Sequence, residues 1–82
     1  MISFVIYKNE NKKMHIEAYK TNVRTKKDAS LLVVLLQFVI SDCIINFDFK
    51  NRERILRIET NREIKDVVYG VFNKQGFYCK KL

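Results

Sequence analysis

The chain has 82 residues, 48% of them hydrophobic, with two cysteines, two glycines and no proline. That is one domain spanning residues 1–82, with apolar material for a core, no proline- or glycine-rich linker to divide it, and too few cysteines for a disulfide framework. Sixteen Lys and Arg against nine Asp and Glu leave a net charge of +7, which suits nucleic acid, another anionic surface or an acidic protein as partner. Lysine, isoleucine and asparagine are abundant and alanine is scarce. An AT-rich genome alone produces that bias, and it fits an accessory protein of a low-GC bacterium or its mobile elements.

Residues 2–7 alternate Ile2, Phe4 and Ile6 with Ser3, Val5 and Tyr7, a strand pattern. Residues 1–8 lack the basic start, apolar core and small-residue cleavage site of a signal peptide, so a soluble cytoplasmic protein is expected. After a polar turn at residues 9–12, Met14, Ile16 and Ala18 alternate with His15, Glu17 and Tyr19. This predicts a second strand, hairpin-paired with the first. Thr25-Lys26-Lys27-Asp28 resembles a capping box and starts a helix predicted to reach Ser41 or Asp42.

Residues 31–40 of that helix are unusually apolar. Ser30, Gln37 and Ser41 form one narrow polar stripe, against the ~100° apolar face a surface helix normally buries. The segment also contains many strand formers; the cap and the helically spaced stripe decide for helix. About ten residues are too few to span a bilayer, which takes roughly 20.

Ile45, Phe47 and Phe49 alternate with polar residues as a half-buried strand, and a turn at residues 50–53 leads to a return strand at residues 55–58. Thr60-Asn61-Arg62-Glu63 reads as a second capping box. Ile64, Val67, Val68, Val71 and Phe72 follow at helical spacing, Gly76 can end the helix, and residues 77–80 form a final strand. The expected fold is α+β, a two-layer α/β sandwich of ferredoxin-like βαββαβ order with an extra N-terminal strand, ββαββαβ. One tension accompanies it: the strand at residues 14–19 would be flanked on both sides, yet residues 2–7 also call for it.

Catalytic material is thin. No metal cluster, glycine-rich phosphate loop or nucleophile elbow is present, and no cofactor is implied. His15 is the only histidine. A metal-independent ribonuclease would need His15, Tyr19 and Arg57 on one open sheet face, which makes it a distant third function. Tyr7, Tyr19 and Tyr78 offer candidate stacking faces, although residues 53–58 do not match the RRM aromatic motif. The expectation is a non-enzymatic protein.

If the fold is right, three connections gather at one end. They carry Lys20, Arg24, Lys26 and Lys27, then Lys50, Arg52 and Arg54, then Lys74. A one-sided basic rim would engage nucleic acid or another polyanion. Leu31, Leu32, Leu35, Phe38 and Val39 are the expected interface of a homodimer built on the first helix. The alternative is a protein-binding regulator or inhibitor that uses residues 31–40 against a different protein.

Overall fold

The computed structural model describes residues 14–50 and 52–82. The strand expected at residues 2–7, its hairpin turn and Tyr7 lie outside them. The described elements are β1 (His15–Thr21), α1 (Lys26–Val39), β2 (Ile44–Asp48), β3 (Ile55–Thr60), α2 (Lys65–Lys74) and β4 (Cys79–Lys81). The four strands form one antiparallel sheet in the order β2-β3-β1-β4. Each helix therefore carries the chain past an intervening strand, α1 over β3 and α2 over β1.

Both helices contribute to a single core on one face of the sheet. Ala29, Leu32 and Leu36 of α1 and Val68 and Phe72 of α2 join Tyr19, Leu56 and Ile58. Leu32 and Leu36 are fully buried, because positions four apart share a helix face. Leu32 thus belongs to the core and not to the outer interface expected for it.

The start of α1 follows its sequence. Thr25 is extended, and its hydroxyl oxygen accepts from the Asp28 amide at 3.1 Å, relieving an amide that has no partner inside the helix. The second threonine box does not cap. β3 continues through Thr60, whose oxygen accepts from the Arg62 amide at 3.2 Å, and α2 begins at Lys65 with no side-chain cap. Gly76 takes φ 82° just after α2, a left-handed conformation glycine adopts without steric cost.

The facing of β1 overturns the apolar alternation. Glu17 pairs with Ile58 and Tyr19 with Leu56, and since directly opposed residues share a face, His15, Glu17 and Tyr19 point toward the helices. Ile16, Ala18 and Lys20 take the outer face, where Ile16 is 63% exposed. The polar set goes inward because it is satisfied there. Tyr19 donates to Glu17 Oε1 at 2.6 Å and His15 Nε2 lies 2.9 Å from Oε2, while the Tyr19 ring meets Tyr69 of α2 edge-on.

The two sheet edges differ. β4 reaches β1 only at Tyr19, Lys20 and Thr21, with one further bond from the Leu82 amide to the Ala18 carbonyl. On the other side β2 is the outermost strand among the described residues.

Candidate basic end and apolar helical face

Hydrogen bonds tie the three basic connections together at one end of the sheet. The Thr21 amide donates to the Glu53 carbonyl at 3.2 Å, and the Thr21 hydroxyl donates to the Arg54 carbonyl at 2.9 Å. This joins the β1–α1 connection to the β2–β3 hairpin. Asn22 and Tyr78 exchange bonds: the Asn22 amide donates to the Tyr78 carbonyl, and the Tyr78 amide donates to Asn22 Oδ1 at 2.8 Å. That joins the β1–α1 connection to the one between α2 and β4.

Seven of the eight expected basic residues therefore stand on these connections or the strand and helix ends beside them with their side chains at least partly exposed: Lys20, Arg24, Lys26, Lys27, Lys50, Arg52 and Lys74. Arg54 is built into the support. Its Nε donates to the Val23 carbonyl at 3.2 Å, and its guanidinium lies over the Phe49 ring at 4.9 Å from the centroid. Its backbone holds φ 50°, uncommon for a residue with a Cβ. Arg54 thus clamps the hairpin to the chain after β1 as well as bringing charge.

Two features of this end escape sequence reasoning. Lys80 lies directly opposite Lys20 across the β1–β4 pair, a like-charge juxtaposition that costs stability unless an anion relieves it. Only the strand register reveals it. Tyr78 is 56% exposed amid the basic connections. Tyr19 is fully buried and presents no stacking face.

The trio for a ribonuclease does not meet. His15 and Tyr19 lie on the helix side, whereas Arg57 opposes Ala18 and Asn46 on the outer face and pairs with Asp48 at 3.5 Å. Glu17 between His15 and Tyr19 is 3% exposed. Burial pushes its carboxyl up, but the bonds from Tyr19 and His15, with Lys81 Nζ at 4.0 Å, outweigh it and hold the group below its ordinary range. Burial and the adjoining Glu17 carboxylate push the Tyr19 phenol far up. Both thiols are raised to about 11, Cys43 chiefly by burial and also by Asp42, Cys79 by burial, so neither is a thiolate nucleophile near neutrality. Among the described residues no group of three His, Cys, Asp or Glu is placed to hold a metal ion.

The second surface is apolar. α1 exposes Leu31, Val34, Phe38 and Val39, with Phe38 at 87%. A groove between the helices is lined by Leu35, Phe38 and Val39 from α1 and by Asp66, Val67, Gly70, Val71, Lys74 and Gln75 from or beside α2. Of the expected interface, Leu31, Leu35, Phe38 and Val39 face outward; sequence patterning did not reveal the share of α2. No described helix is long and apolar enough to cross a membrane.

The chain matches no known protein-family model, no curated protein and no solved structure. The functional reading rests on the two surfaces.

Proposed function

We propose that this is a non-enzymatic cytoplasmic binding protein that engages nucleic acid through its basic end and forms a homodimer through α1. The observation that carries the reading is the convergence of three Lys- and Arg-bearing connections on one end of the sheet, joined by the Thr21–Glu53, Thr21–Arg54 and Asn22–Tyr78 bonds. Such a field releases counterions from a phosphate backbone and gives salt-dependent affinity. Tyr78 favours nucleic acid over a plain polyanion, since an exposed ring beside basic residues offers a base a stacking face.

The fold beneath this reading is the ferredoxin-like order with residues 2–7 as an added strand. It is supported by the strand order β2-β3-β1-β4 and by the unpaired stretch His15–Glu17 on the β4 side of β1 among the described residues.

The test is binding of labelled single-stranded DNA and of heparin across a salt series. Lys27→Gln/Lys50→Gln/Arg52→Gln is expected to weaken both and flatten the salt slope, by about one for each phosphate left without its cation. Tyr78→Ala is expected to weaken DNA and spare heparin. Affinity unchanged in the triple variant would remove the site, and equal loss of both ligands in Tyr78→Ala would return the reading to a general polyanion.

A second reading is favoured by Phe38, whose 87% exposure is high for so large an apolar side chain. In it the chain is a protein-binding regulator that docks the α1 face on a different protein. Capture of that partner would be lost in Phe38→Asp and insensitive to salt.

A further inference from the structure

Gly70 sits in the middle of α2, and nothing among the described residues requires glycine there. Its conformation is helical, it is exposed, and a Cβ built on it meets nothing within 4 Å. Glycine in a helix interior is less stable than alanine because its unfolded backbone has more freedom to lose. The open space at Gly70 can admit a neighbour from outside, and it lies in the apolar groove beside Phe38, Val67 and Val71.

We propose that the groove binds a second copy of this chain, with the two α2 helices crossing antiparallel at Gly70. Two observations commit the occupant to a copy. Asp66 and Lys74 both line the groove, four residues before and four after Gly70. A two-fold axis at Gly70 sets Asp66 of each protomer against Lys74 of the other, so the charges are complementary only to themselves reversed. The gap and the apolar surface also lie together: with Gly70 on the axis each α2 fills the other's open space, and Phe38, the most exposed of the large apolar side chains among the described residues, stands beside the crossing. An isologous interface needs that self-complementarity, because one patch must serve both sides. Small residues at a helix crossing also let backbones approach closely and bring flanking apolar side chains together, here Leu35, Val39, Val67 and Val71.

This deepens the homodimer reading and rests on it: α1 supplies apolar surface, while α2 supplies the crossing point and the register. The experiment is sedimentation equilibrium of the full chain over a concentration series at low salt. The wild type is expected near twice 9.8 kDa. Asp66→Lys and Lys74→Asp are each expected to weaken the dimer by about tenfold, because the two-fold axis sets like charges against each other twice in every dimer. The double variant Asp66→Lys/Lys74→Asp should recover most of that loss. Gly70→Ala should melt no lower than wild type yet dissociate more readily, a combination that damage to the fold does not produce.

Failure of the double variant to recover would overturn the crossing, as would unchanged association in Gly70→Ala. If Phe38→Asp dissociates the dimer while all α2 variants behave as wild type, the α1 dimer stands and the Gly70 crossing falls. A wild type that stays monomeric at every concentration removes both and leaves the groove to residues 1–13 or to another protein.

Discussion

A carboxylate that is 3% exposed must be supplied with donors, and Glu17 draws them from two residues of its own strand and one of β4. An ionised carboxylate only accepts, so His15 presents a protonated Nε2 to it and Tyr19 its hydroxyl hydrogen. Because the folded carboxyl titrates below its ordinary value of 4.5, the cluster stabilises the fold fully above about pH 4.5. That contribution is lost as pH falls through the folded value. Glu17→Gln should therefore flatten the dependence of melting temperature on pH below about 4.5, and an unaltered acid limb would show that other carboxylates govern it. None of this was legible from the alternation along residues 14–19, which turned Met14, Ile16 and Ala18 inward. Hydropathy assigns a face by transfer cost, and it has no term for a buried acid whose partners stand two residues away.

Arg54 gives a second test at the same scale. Its left-handed backbone costs of the order of 1–3 kcal/mol in a residue with a Cβ, while its side chain joins Phe49 to the Val23 carbonyl. Arg54→Ala keeps the strain without the clamp; Arg54→Gly removes both. The glycine variant is thus expected to melt higher than the alanine variant, and the reverse order would mean the conformation relaxes once the guanidinium is gone.

At the scale of elements, the two threonine boxes show why some boundaries were readable. Thr25 and Thr60 stand before similar polar runs, yet only Thr25 caps a helix. Thr60 is fully buried and opposite His15 at the end of the β1–β3 ladder, so pairing with a distant strand claims it before α2 can. The residues around Thr25 have no such competitor, and the local signal prevails. Thr25→Ala is expected to cost about 1 kcal/mol of unfolding free energy, measured by urea denaturation. Thr25→Ser should retain most of it by keeping the acceptor oxygen. The apolar excess of residues 31–40 was likewise visible, but its division was not: Leu32 and Leu36 enter the core, while Phe38 and Val39 stay outside. Wheel geometry locates a stripe and leaves open which arc meets the sheet.

For the whole molecule, the position of the basic connections was readable because it follows from connectivity. Once α1 and α2 each cross a strand, the β1–α1 link, the hairpin and the α2–β4 link share an end whatever their side chains do. The Lys20–Lys80 opposition was not readable, since it depends on a three-residue strand joining at one register. The part played by α2 in the apolar groove was hidden for a similar reason: it arises from two helices packed side by side.

That short strand also bears on how copies of the chain can join. Growth of a fibre by strand addition requires one edge of the sheet to accept an unlike edge of the next copy. β2 carries a single charge, Asp48, and neither lysine nor proline, whereas β4 has only three residues, two of them lysine. Among the described residues β2 invites a strand and β4 turns one away, so head-to-tail polymerisation through β4 lacks a second acceptor. Lys80→Thr removes one guard without touching the Glu17 cluster. It is expected to shorten the lag of thioflavin-positive fibre formation in concentrated solution, and a lag equal to that of wild type would show that the brevity of β4 alone protects the edge.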